Sequence, residues 1–182
     1  MFKSKLTWLF VVLLIVFDQG IKLFISGHFA MEQSIPVLPP VLYFFPTLNT
    51  NYTWISSMMD INLSKWIYIA IVALLLALIL FFYRYLQNRL PKNNTVNTLF
   101  AFIFSGALCS LVDKLFWNGS LDFIQLNHLF TFDTKDVYIS IFIGLVLLFM
   151  VQNNKVLKQI GSKTVLKGFT NSFSKSRREE SL

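Results

Sequence analysis

A small number of carboxylates lie inside or beside strongly apolar segments of this chain. Asp18 lies within the first apolar segment, Asp113 ends the third, Asp122 follows in the next loop and Asp136 opens the fourth. An ionised side chain in hydrocarbon costs roughly 2.5–3.5 kcal/mol on insertion scales, so such charges are usually paired or functional. Two acids held together share one proton, and the pair can activate a water molecule for attack on a peptide carbonyl. The pattern predicts an aspartyl hydrolase whose substrate lies in the membrane.

The loop between the third and fourth apolar segments offers the most direct way to pair two acids. Asp122 and Asp136 flank this loop, and its return into the fourth segment can bring their side chains face to face. From the residues alone, the alternative is that acids at helix ends are simply solvated. The chemistry needs neither a metal nor another cofactor, and His28 and His128 lack the spacing of a zinc site.

The first apolar segment carries a second possible charge pair. Asp18 and Lys22 are four residues apart, which places them on one face of a helix in the favourable order, with the acid first. Two interpretations stay open. The pair is either a structural ion pair that neutralises itself between helices, or part of a functional site.

The composition indicates that these acids belong to a membrane protein. Hydrophobic residues make up 55% of the 182 residues and charged residues only 14%. A helix needs about 20 residues to cross about 30 Å of hydrocarbon. The fourth segment is short, so we expect its helix to begin in the preceding loop or to cross a thinned bilayer. The four predicted spans are 6–25, 66–86, 96–116 and 137–151.

The basic residues predict how the chain crosses the membrane. Of the 16 Lys and Arg residues, 12 lie on one side: 11 lie before the first span, between the second and third or after the fourth, and Arg84 lies in the last turn of the second span. The positive-inside rule then places both termini in the cytoplasm. Because these charges are spread over several loops, nucleic-acid binding is not expected. Residues 153–182 are expected to form a flexible basic cytoplasmic tail that follows a membrane domain of residues 1–152.

The outward segment between the first two spans is too long for a simple connector. Its centre, residues 36–46, contains four prolines among β-branched and aromatic residues, which disfavours a helix and permits short edge strands. We expect a small β-sheet, or β-cradle, over about residues 27–64 on the outer membrane surface. The alternative is that the aromatic residues form only an interfacial belt. The predicted fold class is therefore an all-α membrane protein of four helices with a small extracytoplasmic β-cradle.

Four short elements resemble motifs of the lipoprotein signal peptidase (signal peptidase II) family, within roughly residues 8–150. The family elements are Asp-Gln-x-x-Lys, Gly-Ala-x-x-Asn-x-x-Asp-Arg, Val-Asp-Phe and Phe-Asn-x-Ala-Asp. They resemble, in that order, residues 18–22, 106–114, 121–123 and 132–136. Each element is weak alone, but their order, spacing and placement on four helices make the set fairly specific.

The resemblance implies a monomeric membrane protease that removes signal peptides from diacylglyceryl-modified prolipoproteins and cuts before the lipidated cysteine. Its other partner would be membrane lipid. Carried over by position, the catalytic dyad is Asp122 and Asp136, with Asp113 as the next candidate. Supporting or substrate-binding positions implied in the same way are Asp18, Lys22, Asn49, Ser110, Asp113, Lys114 and Asp133.

The chain departs from the family pattern around the dyad. Lys114 stands where the family has Arg, which gives up the bidentate fork of a guanidinium. Asp133, in place of Asn, adds a negative charge that would raise the proton affinity of the dyad unless Lys135, in place of Ala, compensates it. Ser110 stands in place of another Asn, and residues 49–56 match the family's Asn-x-Gly-Ala-Ala-Phe-Ser only faintly.

These departures leave two other functions open. One is a catalytically inactive relative that binds lipoproteins or membrane partners through the outer aromatic surface, which would bind lipidated peptide without turnover. The other is a small transport or channel subunit in which Asp18 and Lys22 line a polar path. Ion flux in vesicles that is lost on changing Asp18 would identify that function.

Overall fold

A computed structural model describes residues 2–50, 64–89, 94–127 and 129–152. The predicted tail, part of the predicted β-cradle (residues 51–63) and His128 lie outside the described residues. The described residues contain four helices that are long and apolar enough to cross a membrane. They are α1 (Phe2–His28), α2 (Lys65–Arg89), α3 (Asn94–Val112) and α4 (Thr134–Gln152).

The predicted fold class is confirmed, including the early start of the last helix. That helix begins at Thr134 rather than at the first residue of the predicted apolar run, so its span reaches 18 residues. Large apolar side chains such as Val16 and Phe82 are exposed on the helix surfaces. Their exposure fits a helix surface that faces lipid, whereas water would disfavour it.

Helix α3 packs against both α1 and α2. Val11 of α1 and Leu76 of α2 meet Phe100 and Phe104 of α3 in one apolar cluster. Near the end of α3, a Cβ atom on Gly106 would lie only 2.9 Å from Cγ1 of Ile139 on α4. This position therefore requires a residue without a side chain, and the close approach brings the end of α3 to the beginning of α4.

Four antiparallel strands form a sheet in the order β1-β2-β3-β4. Pro36 lies on β1, an edge strand, as the proline-rich sequence predicted. Pro46 lies on an inner strand, where the β2–β3 register shifts between Phe44 and Thr47, and a proline is tolerated at such an irregularity. The strands are β1 (Ile35–Leu38), β2 (Leu42–Asn49), β3 (Ser120–Leu126) and β4 (Phe130–Phe132).

The placement of Asp122 in a loop was wrong, because it lies on β3. Thr47 and Asp122 are opposite each other in the β2–β3 pair. On one side of β3, Leu121 and Phe123 pack with Ile25 of α1. Successive side chains of a strand point to opposite faces, so Asp122 points away from this apolar cluster.

For Asp113, which ends the third apolar segment, the alternative of a solvated acid at a helix end is also wrong. Helix α3 continues into a π-helical turn, Asp113–Trp117. Asp113 is 0% exposed and Lys114 only 7% exposed. Asp113 is covered because Lys22 of α1 and Ser120 of β3 both contact it.

By their contacts, residues 1–142 form one compact unit and residues from 143 onward form a second. The first unit contains α1, α2, α3, the sheet and the beginning of α4. In the second unit the described residues continue α4 and expose apolar side chains such as Leu148. Every candidate site residue lies in the first unit.

Candidate active site

Five carboxylates converge where the helices meet the sheet. Helix α1 supplies Asp18, the π-helical turn supplies Asp113 and β3 supplies Asp122. Asp133 and Asp136 lie at the beginning of α4. The structure thus brings together acids that are more than one hundred residues apart in the chain.

Lys22 lies at the centre of three of these carboxylates. Its Nζ is 3.0 Å from Oδ2 of Asp18, 2.7 Å from Oδ2 of Asp113 and 2.6 Å from Oδ2 of Asp133. The pair with Asp18 exists, but it does not simply neutralise itself. Because Lys22 also binds two acids from other elements, it ties α1 to the π-helical turn and to the beginning of α4.

Lys135 is the second cation of the cluster. Its Nζ contacts Asp133, lies 3.2 Å from Oδ2 of Asp113 and lies 3.9 Å from Oδ1 of Asp122. The side chain is buried, so these acids replace the solvation that its ammonium has lost. Lys135 therefore compensates the negative charge of Asp133, which the sequence allowed but did not establish.

Lys114 follows Asp113 in the sequence, but its ammonium binds elsewhere. Its Nζ donates a hydrogen bond to Oγ of Ser110 over 2.8 Å, and within the described ranges no ion pair joins it to a carboxylate. Adjacent residues of a helical turn point in different directions, which explains the difference. Lys22 and Lys135 bind Asp113 instead.

Ser120 was not predicted, although its hydroxyl lies among three carboxylates. Its Oγ is 2.9 Å from Oδ1 of Asp122, 3.0 Å from Oδ2 of Asp133 and 3.2 Å from Oδ2 of Asp113. A hydroxyl has one proton and can donate to one of these acids at a time. The signal in the sequence is its position two residues before Asp122, which places both side chains on one face of a strand.

Gln19 and Trp117 form hydrogen bonds that orient Asp18 and Asp113. Gln19 donates to Asp18 over 2.9 Å and to Asp113 over 3.1 Å through its Nε2. Nε1 of Trp117 donates to Oε1 of Gln19 over 3.1 Å. Both acids are therefore oriented by a side-chain amide that is itself held in place.

A reciprocal helix cap positions Asp136. The backbone N–H of Asp136 donates to Oδ1 of Asp133 over 3.3 Å, and the backbone N–H of Asp133 donates to Oδ2 of Asp136 over 3.2 Å. An acid at the N-cap with a second acid three residues later is a form of the capping box. The local sequence of the α4 start thus sets the direction of the Asp136 carboxylate.

The two predicted dyad residues lie close together. Carboxylate oxygens of Asp122, Asp133 and Asp136 all lie within 4.8 Å of one another. On the strand side, Nδ2 of Asn49 donates to Oδ2 of Asp122 over 3.0 Å. Asn49 and Ser120 therefore hold the two oxygens of Asp122 from β2 and β3.

The two acids outside the spans have opposite electrostatic surroundings. Burial raises the pKa of Asp122 above the ordinary value, although Lys135, Asn49 and Ser120 each reduce the rise. Burial also disfavours the ionised form of Asp133, but Lys135 and Lys22 outweigh it and lower the pKa of Asp133. Asp133 is thus the more readily ionised of the two acids, and Asp122 holds its proton to a higher pH than Asp133 does.

Three acids at this spacing could also ligate a metal ion. The Lys135 ammonium, however, already contacts Asp133 and approaches Asp122. One oxygen of Asp133 binds the two lysines while the other caps α4. Lysine ammonium groups therefore already bind carboxylate oxygens that a metal ion would need, and these three acids fit acid–base chemistry better than metal binding.

A groove of about 410 Å³ lies on the sheet, and one of its lining residues is Asn49, which binds Asp122. Its lining includes Thr47, Asn49, Phe130 and Thr131. Because Asn49 also binds Asp122, an extended peptide in this groove would pass close to the acids.

Comparison with known proteins gives consistent results. The family profile described as Signal peptidase (SPase) II matches residues 10–152. The lipoprotein signal peptidase of Photorhabdus laumondii is 30% identical over 164 residues, covering 85% of this chain and 95% of that protein. The lipoprotein signal peptidase of Serratia proteamaculans is 31% identical over 168 residues, covering 87% of this chain and 95% of that protein.

A solved structure shares the fold. It is described as a bacterial membrane enzyme and matches with a TM-score of 0.64 at 20% identity, covering 80% of this chain and 92% of that chain. The profile and the two relatives each cover most of the chain, and the motifs that carry the resemblance surround the acid cluster. The chain therefore belongs to the signal peptidase II family.

Proposed function

We propose that this protein is an aspartyl endopeptidase of the bacterial cytoplasmic membrane. It removes signal peptides from diacylglyceryl-modified prolipoproteins and cuts before the lipidated cysteine. The observation that carries the proposal is the approach of the Asp122 and Asp136 carboxylates to within 4.8 Å at the junction of the sheet and α4. Family membership supports the substrate class.

The dyad carries one proton in the working state. Two carboxylates this close do not both ionise easily. The ionised acid takes a proton from a water molecule, whose oxygen attacks the carbonyl carbon of the scissile peptide. In the same step the protonated acid donates its proton to the carbonyl oxygen, which gives a neutral tetrahedral diol. As the C–N bond breaks, the acid that took the water proton gives it to the nitrogen, and the other acid takes a proton from a hydroxyl of the diol. This sequence returns the dyad to its one-proton state.

The surrounding residues hold the dyad ready for this step. Asn49 and Ser120 orient Asp122, while the α4 cap orients Asp136. The groove beside Asn49 offers room for the extended peptide. Acids that are fixed before substrate binds need little reorganisation during the reaction.

The proposed membrane placement follows from the charges of the chain. Both termini lie in the cytoplasm, because most of the basic residues lie on that side. The sheet and the dyad then lie at the outer surface, where the lipidated part of the substrate stays in the bilayer. The enzyme acts as a monomer in contact with membrane lipid.

Cleavage of a diacylglyceryl-modified prolipoprotein by the purified protein in detergent tests the proposal. Asp122→Asn and Asp136→Asn should each reduce kcat by about 10²–10⁴-fold, the usual contribution of acid–base catalysis. Glu32→Gln is the matched control, since Glu32 is an exposed acid outside the site, and it should cleave as the wild type does. Wild-type rates in both Asp variants would refute the dyad.

A catalytically inactive lipoprotein-binding relative is the second candidate. The observation that favours it is the Lys135 ammonium, 3.9 Å from Oδ1 of Asp122, because a nearby cation favours the ionised form of the acid. A dyad without a proton could not assist the carbonyl oxygen. Folded wild type that binds the lipidated substrate without cutting it would establish this candidate, and any turnover that depends on Asp122 would exclude it.

A further inference from the structure

We propose that Asp133 and Lys135 form a buried counter-charge pair that positions Asp122 and sets the pH range in which the dyad holds one proton. This inference rests on the proposed function and adds two positioning residues to it. It starts from the geometry at the beginning of α4, where both residues flank the helix cap.

The two oxygens of the Asp133 carboxylate bind different groups. Oδ1 accepts the backbone N–H of Asp136, which caps α4. Oδ2 binds Lys22 over 2.6 Å and also contacts Lys135. One side chain therefore links the direction of Asp136 to the position of the cation that approaches Asp122.

Lys22 and Lys135 differ in the acids that they approach, since Lys22 binds Asp18 and Lys135 approaches Asp122. Lys22 already binds Asp18 and Asp113 in addition to Asp133. Lys135 is the cation whose ammonium comes within 4 Å of Asp122 in the part of the chain that the structure describes. It also donates a hydrogen bond to the Ser120 hydroxyl, which in turn lies against Asp122.

The charges of Asp133 and Lys135 have opposite effects on the dyad. An ionised Asp133 within 4.8 Å of both dyad acids disfavours their ionisation, and Lys135 opposes this effect. Asp133 stands in place of the family's Asn and Lys135 in place of its Ala, so the added negative charge and the added positive charge occur together. The charged and titratable groups of the cluster come from α1, the π-helical turn, β3 and the beginning of α4, and besides the two dyad acids they are Asp18, Lys22, Asp113, Lys114, Asp133 and Lys135.

The experiment is the pH profile of kcat/KM for cleavage of the lipidated prolipoprotein. Lys135→Ala leaves Asp133 less compensated, so the acid-side limb should move to higher pH by about one unit or more, as expected for a charge within 4–6 Å. Asp133→Asn leaves Lys135 less compensated, so the same limb should move to lower pH. The double variant D133N/K135A should return close to the wild-type profile.

The variants also separate positioning from folding. Asparagine is as good an N-cap as aspartate, so Asp133→Asn retains the α4 cap. If K135A alone does not fold, D133N and D133N/K135A still supply the comparison, because both avoid an uncompensated Asp133. Lys135→Arg retains the charge and should retain the profile. Lys5→Ala changes an exposed lysine at the start of α1 and serves as the control.

A merely structural pair would lower the amount of folded protein or kcat without moving the limb of the profile. Superimposable profiles for wild type, D133N and D133N/K135A would overturn the inference while leaving the proposed function intact. Shifts that add in the double variant instead of cancelling would overturn it as well. A folded wild type that cleaves no substrate would overturn both.

Discussion

Replacing Lys22 by methionine removes the ammonium that contacts Asp18, Asp113 and Asp133. Methionine keeps most of the apolar volume of the lysine stem, so the main change is electrostatic. Lys22 is fully buried, and the carboxylates that lose it have little access to water. Removing one partner of a buried ion pair costs about 3–5 kcal/mol.

That loss can be expressed as a melting temperature. For a chain of this size, 1 kcal/mol corresponds to about 2–4 °C. We therefore expect the Tm of Lys22→Met in detergent to fall by about 6–20 °C. Tryptophan fluorescence can follow the transition, since the chain contains 4 Trp.

Lys114→Met is the matched control for this measurement. Lys114 is also a buried lysine of the same region, but its described hydrogen bond is to the neutral Ser110. Its loss should change stability by about 1 kcal/mol, the net value of one hydrogen bond. Equal Tm values for Lys22→Met and wild type, or a larger fall for Lys114→Met, would refute the assignment of Lys22 as the central cation.

Two further predictions concern Asp133 and Ser120. The folded-state pKa of Asp133 is lowered, chiefly by Lys135 and Lys22 against the effect of burial. Its contribution to stability is therefore present above the ordinary value of about 3.9 and is lost as pH falls through the lowered pKa. Thermal unfolding from pH 7 to pH 2 should show this loss, and Asp133→Asn should weaken it; parallel curves would contradict the ion pairs. Ser120→Ala should reduce kcat by about 10- to 150-fold, since a hydrogen bond to a charged group contributes roughly 1.5–3 kcal/mol, whereas Ser26→Ala, a change at an exposed helix serine, should not.

The spans could be predicted from the sequence because hydropathy over about 20 residues is a local property. The early start of α4 followed from the same reasoning, since its apolar run was too short to cross alone. Prolines on an edge strand were likewise predictable around Pro36, because a missing N–H disfavours an inner position. Terminal orientation and the catalytic roles of Asp122 and Asp136 stay predictions.

Strand β3 could not be predicted, because its hydrogen bonds are made with β2, more than seventy residues earlier, and β4 in turn pairs with β3. For the same reason Asp122 was placed in a loop and Ser120 was missed. Lys114 is adjacent to Asp113 in the sequence, but its ammonium reaches the Ser110 hydroxyl, because the direction of a side chain from a helical turn decides which group it binds.

The sequence by itself determined the membrane-spanning segments and the chemical groups of the site. Its apolar runs, the acids inside or beside them and a family pattern predicted that Asp122 and Asp136 lie in one site. Tertiary structure decided which charges meet. Lys22 binds acids from three elements, and Lys135 connects Asp133 to Asp122. The physical reason is that Coulomb interactions depend on distance in space, and only the packing of α1, the π-helical turn, β3 and α4 sets those distances.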